Sequence, residues 1–74
     1  MDVKVKLFAT LRNNRGKEIE FTLKDGADVQ KIIEILNINE EDVAILLING
    51  RDGTLDKKLS DGDTVSIFPP VGGG

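Results

Sequence analysis

Apolar and polar residues alternate over residues 3 to 8, Val-Lys-Val-Lys-Leu-Phe, turning Val3, Val5 and Leu7 to one face of a strand and Lys4, Lys6 and Phe8 to the other. The stretch from Ala9 to Arg15 has room for only a helical turn or two, and Gly16 suits the left-handed conformation that ends it. Residues 18 to 23 alternate again and place Ile19, Phe21 and Leu23 inward, after which Asp25-Gly26 turns the chain. The period then changes. Val29, Ile32, Ile33 and Leu36 follow the i, i+3, i+4, i+7 spacing of one helical stripe, with Asp28 placed to cap its start and Asn37 suited to its end. After the acidic turn Glu40-Glu41-Asp42, the continuous apolar run from Val43 to Ile48 reads as an interior strand closed by the turn pair Asn49-Gly50. Leu55 and Leu59 fall in a loop-rich connection, and Asp61-Gly62-Asp63 makes a further turn. Residues 64 to 68 then form the last strand, with Val65 and Ile67 inward, and Pro69-Pro70 stops further pairing.

The order strand, strand, helix, strand, loop, strand predicts an α+β fold: a mixed sheet of four to five strands crossed by one main helix. This is the β-grasp, or ubiquitin-like, plan. Its expected core is Val3, Val5, Leu7, Ile19, Phe21, Leu23, Val29, Ile32, Ile33, Leu36, Ile48, Val65 and Ile67. Residues 1–68 make the domain and residues 69–74 a tail. A chain of 74 residues buries only about 60 % of the surface its unfolded form would expose. With no Cys and no His it has neither disulfides nor the usual zinc, haem or iron-sulfur ligands, so packing alone must hold it. No metal site and no bound cofactor are expected. The first residues resemble neither a signal peptide nor a membrane span, which makes the cytoplasm the expected address; when free of partners the chain is expected to be a monomer.

Charge narrows the function. The 13 acidic residues outnumber the 10 basic ones, so the surface lacks the positive field that nucleic acid requires. Without His, Cys or Tyr the chain lacks the commonest nucleophiles and general bases, and an enzyme acting alone is not expected. The remaining chemistry sits in the tail Pro69-Pro70-Val71-Gly72-Gly73-Gly74, which spans at most ~20 Å when extended. Two prolines are expected to hold its root extended and clear of the domain, while glycines leave the tip slim enough for a narrow channel. At Gly74 a terminal carboxylate, with an ordinary pKa of about 3.3 to 3.7, is ionised at neutral pH. It can attack the α-phosphate of ATP without a general base and so form an acyl adenylate. The tail taken alone is also compatible with a frayed end.

Strand alternation supplies a second candidate feature. With Leu7 and Ile67 inward, Phe8 and Phe68 point to the open face of the sheet, where Leu47 joins them if Ile48 is inward. Exposed apolar residues are individually ordinary, but these would form a patch at the base of the tail. On the same face Lys4 and Lys6 should lie opposite Glu18, Glu20 and Thr22, an arrangement read as solvated support.

The run Lys6-Leu7-Phe8-Ala9-Thr10-Leu11-Arg12, together with Phe68-Pro69-Pro70-Val71-Gly72-Gly73-Gly74, resembles the MoaD/ThiS family of ubiquitin-like sulfur carriers. The likeness covers the whole chain and is nearest to MoaD, the small subunit of molybdopterin synthase; Asn49-Gly50 and Asp61-Gly62-Asp63 also sit where that family has them. It implies a carrier or co-substrate and not an enzyme. A MoeB/ThiF-type adenylating enzyme would use ATP to activate Gly74, sulfur would replace AMP to give a thiocarboxylate, and a MoaE-type large subunit would receive that sulfur in molybdopterin synthesis. Gly73 would enter the partner's active site, with Phe8, Leu47, Phe68, Pro69, Pro70, Val71 and Gly72 as partner contacts. Two alternatives share the resemblance: a ThiS-type carrier for thiamin thiazole, and an archaeal modifier joined to lysines through its terminal glycine. The segment from Ala9 to Gly16 and the Pro-Pro pair favour MoaD over ThiS. Arg51-Asp52-Gly53 departs from the family pattern, which places an apolar docking residue just after the Asn-Gly turn.

Overall fold

The alternating residues at the N-terminus form β1 (Asp2–Leu7), and the second alternating segment forms β2 (Glu18–Thr22) antiparallel to it, with Val3 opposite Phe21 and Val5 opposite Ile19. The computed structural model describes residues 1–70. A 3-10 turn over Ala9–Arg12 links the two strands, and Gly16 takes φ +91° before the chain re-enters the sheet. The stripe of apolar residues forms helix α1 (Val29–Leu36). Asp28 caps it by accepting the Lys31 amide at 3.2 Å, a contact of a kind worth about 1 kcal/mol. Asn37 ends the helix in the left-handed region (φ 59°, ψ 42°), its N–H bonding to Ile33 O and Glu34 O.

A second 3-10 turn over Glu40–Asp42 leads to β3 (Ile45–Ile48). The Asn49-Gly50 turn, with both residues at positive φ, folds β3 back onto β4 (Arg51–Asp52), and β5 (Thr64–Phe68) closes the sheet. The strand order is β2-β1-β5-β3-β4. Only the β1–β5 pair is parallel, and it lies at the centre: Val5 is opposite Val65 and Leu7 opposite Ile67, all four with no exposed surface.

The core is apolar throughout, with no buried polar side chain among the described residues. Its contents differ from the expected set in two ways. Ile19, Phe21 and Leu36, expected inside, are half-buried at its margin. For Ile19 and Phe21 the reason is position: β2 is an edge strand, with a neighbour on one side only. Conversely Leu11, Ile38, Leu46 and Leu59 are buried. Three of these belong to turns and connections with no strand or helix period to mark them, and the fourth lies in an unbroken apolar run.

Arg15 ties the β1–β2 connection to the end of α1. Its guanidinium donates to Leu36 O at 3.0 Å and Asn37 O at 3.3 Å, carbonyls that the helix terminus leaves open, and to Leu11 O in its own connection at 3.3 Å. Chemical denaturation of Arg15→Ala should show a loss of about 1.5 to 3 kcal/mol, the range for hydrogen bonds that involve a charged group. A variant as stable as the parent would mean that water replaces these bonds without cost.

Candidate functional site

The open face of the sheet carries the candidate site, built at the end where β1 and β5 run out together. Phe8 follows β1 in an extended conformation (φ −127°, ψ 152°), so it continues the alternation for one more residue and faces away from the core. Ala9 then takes φ +52°, a left-handed turn that costs a residue with a side chain about 1 to 2 kcal/mol. Because Leu7 pairs with Ile67 in a parallel register, the next residues on each strand, Phe8 and Phe68, meet side by side. Their rings stack with centroids 4.1 Å apart and planes inclined by 10°. Both are half-buried. The outward placement read from alternation therefore holds for each ring, and the stack shields apolar area that either alone would expose.

The third member of the patch is placed differently from the expectation. Phe68 is opposite Ile45, which is 52 % exposed, whereas Leu47 is opposite Ser66 and so is a diagonal neighbour of Phe68. Leu47 is half-buried and lengthens the patch away from the tail. Ile45 had no sequence signal: six apolar residues in a row do not declare which of them faces which neighbour.

Arg12 likewise acquires its place only in the fold. Its guanidinium lies over the Phe8 ring at 5.3 Å from the centroid, and its Nε donates to Leu7 O at 2.7 Å. A cation is thus fixed beside the aromatic pair. Farther along the face, Lys4 lies opposite Glu20 and Lys6 opposite Glu18, with a 3.9 Å contact from Lys4 to Glu18, consistent with solvated support.

The tail begins in contact with the domain. Pro69 is half-buried and, with Pro70, lines a cleft of about 330 Å³ shared with Leu11, Arg15 and Ile38. The root was expected to stand clear of the domain; instead Pro69 lies against its surface, and Pro70 is the exposed one. Val71, Gly72, Gly73 and Gly74 lie outside the described residues. Among the described residues there is no cluster of metal-ligating side chains, and no helix is long and apolar enough to cross a membrane.

The family model described as "ThiS family" matches residues 5–74. The chain belongs to the ThiS family. Its β-grasp fold is shared with a Pyrococcus furiosus protein provisionally assigned as molybdopterin converting factor, subunit 1 (36 % identity, TM-score 0.78, 96 % of this chain and 99 % of the other). The protein–protein complex of subunits 1 and 2 of molybdopterin-converting factor from Helicobacter pylori 26695 contains a chain that matches at 26 % identity and TM-score 0.68 over 100 % of both chains. Small archaeal modifier protein 3 of Haloferax volcanii is 34 % identical, with 100 % of each chain covered. Structural homologues of this ThiS-family chain thus include a subunit of a two-protein assembly, and its relatives include a protein named as a modifier.

The stacked pair generates a quantitative expectation. A double-mutant cycle on Phe8→Ala and Phe68→Ala should give a coupling of about 0.5 to 1.5 kcal/mol in thermal or denaturant unfolding, the range for an aromatic pair. Ile67→Ala, in the core, should cost more, about 2 to 5 kcal/mol. Additive effects of the two Phe substitutions would show that the rings do not support one another.

Proposed function

We propose that this ThiS-family chain is a sulfur carrier of the MoaD type, whose reacting group is the carboxylate of a chain ending at Gly74. The observation that carries the reading is the Phe8–Phe68 stack, an apolar and partly exposed pair built at the point where the tail leaves the sheet. Such a pair is a natural anchor for a partner that must draw the tail into its own active site, because aromatic residues dominate binding energy at interfaces. Ile45 and Leu47 widen the anchor, and Arg12 adds a fixed cation at its rim.

The chemistry divides accordingly. A MoeB/ThiF-type partner supplies the ATP site and the catalytic groups; this chain supplies the nucleophile. The Gly74 carboxylate attacks the α-phosphate of ATP, a P–O bond forms, and pyrophosphate leaves with the electron pair. A hydrosulfide-equivalent nucleophile then adds to the acyl carbon, AMP departs, and a thiocarboxylate remains. A MoaE-type large subunit would take that sulfur for molybdopterin synthesis. Assembly with a second protein agrees with the two-subunit complex from Helicobacter pylori.

The likeness to small archaeal modifier protein 3 favours a second reading from the same intermediate, in which a lysine amine of another protein attacks the adenylate and forms an isopeptide bond. One incubation separates the two. With ATP, a MoeB-type enzyme and a sulfur donor, a carrier gains the mass difference between sulfur and oxygen at its C-terminus. A modifier appears in cell extracts as conjugates releasing the Gly-Gly remnant on lysine after proteolysis.

Removing Gly73 and Gly74 should abolish adenylation, read as ATP–pyrophosphate exchange, and leave the melting curve within about 0.5 kcal/mol of the parent, as for other changes outside the core. Exchange at the parental rate would refute Gly74 as the reacting group. Phe68→Ala should weaken binding to the adenylating enzyme by more than about tenfold, the scale of an interface anchor.

A further inference from the structure

The β2 border of the sheet carries a feature that the tail chemistry does not use. β2 is the last strand on its side, and its hydrogen-bond parity can be fixed. Met1 and Leu23 exchange both backbone bonds at 2.8 Å, and Leu7 N–H donates to Lys17 O at 2.9 Å. In an antiparallel ladder every second pair repeats this pattern, so Val3 with Phe21 and Val5 with Ile19 are bonded pairs as well. The N–H and C=O groups of Glu18, Glu20 and Thr22 therefore point away from β1, along the border.

The side chains on this border divide into two kinds. Toward the helix layer stand the half-buried Ile19 and Phe21; beyond the end of β2 a groove of about 590 Å³ continues past Leu23 and Ala27 to Ile35, which is 49 % exposed. Toward the open face stand the exposed carboxylates Glu18 and Glu20. A strand added here would set alternate side chains against the apolar row and the intervening ones against the carboxylates.

We propose that the β2 border receives an extended segment of a partner protein in which apolar residues alternate with Lys or Arg. The chain already contains one strand of that composition seated on β2: β1 reads Val-Lys-Val-Lys-Leu, with Lys4 opposite Glu20 and Lys6 opposite Glu18. The partner segment repeats this solution on the free side. A second copy of the chain is the wrong occupant. Two β2 strands meeting antiparallel about a two-fold axis centred on Glu20 would bring Glu20 against Glu20, and like charges directly opposite one another are destabilising. The carboxylates thus serve two ends, blocking self-pairing and selecting a basic strand. The site uses neither ring of the Phe8–Phe68 anchor and does not depend on the reaction of Gly74.

The test uses the full chain, isotopically labelled, with the capped peptide Ac-Lys-Val-Lys-Val-Lys-Val-NH2 at millimolar concentration and amide exchange followed by NMR. Exchange at Glu18, Glu20 and Thr22 should slow by about tenfold or more, while Ile19 and Phe21, already bonded to β1, should change little. Glu20→Gln should weaken this protection. Combined Glu18→Lys and Glu20→Lys should abolish it and confer protection by Ac-Glu-Val-Glu-Val-Glu-Val-NH2. Thermal unfolding of the variants confirms that the fold persists. The proposal fails if the three outward amides are unprotected. It fails equally if a block peptide, Ac-Lys-Lys-Lys-Val-Val-Val-NH2, protects them as well, since the attraction would then be one of charge alone. Protection that appears without peptide and grows with protein concentration would identify a second copy as occupant and overturn the assignment.

Discussion

The parallel pairing of β1 with β5 is the constraint on which the rest of the molecule depends. It joins the first strand of the chain to the last, and its register sets Val5 beside Val65 and Leu7 beside Ile67 in the least exposed part of the core. Parallel neighbours cannot be joined by a short turn, so the intervening chain has to leave and return. In doing so it builds α1, whose Val29, Ile32 and Ile33 pack into the same cluster. One further step along the same register brings Phe8 against Phe68. The packing that holds the fold together therefore also places the aromatic pair, and a slip of one residue in either strand would turn that strand's ring from the open face toward the core and break the stack.

Function and stability are correspondingly separated in space. The core has no buried polar side chain among the described residues, and the two rings, Arg12 and the proline root lie at one end of the sheet. A carrier of this construction needs little chemistry of its own. On the proposed reading it contributes the carboxylate of Gly74 and a surface by which a partner positions it, so that proximity and orientation are supplied at the partner's active site. The left-handed Ala9 fits this division: the strain lies directly after Phe8, where the chain must turn sharply if the ring is to keep its place beside Phe68.

Charge gives the sheet a polarity. Arg12 sits at the aromatic end, the Lys4 and Lys6 row runs along β1, and Glu18 and Glu20 line the β2 border. A partner at the aromatic pair and one at the β2 border would meet different chemistry. The same carboxylates protect an exposed edge strand from pairing with its own kind, a hazard for a small protein with a five-residue strand at its margin.

Local sequence determined four of the five strands, the helix and its caps, because alternation, helical spacing, Asp28 and Asn37 act within a few residues of one another. It also determined that Phe8 and Phe68 face outward, since alternation needs no knowledge of neighbours. Tertiary structure decided how far each inward residue is covered. Ile19 and Phe21 share the inward parity of Val3 and Val5 but lie on an edge strand, so half of their surroundings is missing. Leu11, Ile38 and Leu59 carry no period and enter the core because the connections fold over it. β4 exists only because the Asn49-Gly50 hairpin returns two polar residues to the sheet. Ile45, and not Leu47, stands directly beside Phe68, because an unbroken apolar run fixes a strand without fixing its register. Arg12 and Arg15 acquired their roles for the same reason: a guanidinium finds its ring or its carbonyls only after segments distant in the chain have been packed together.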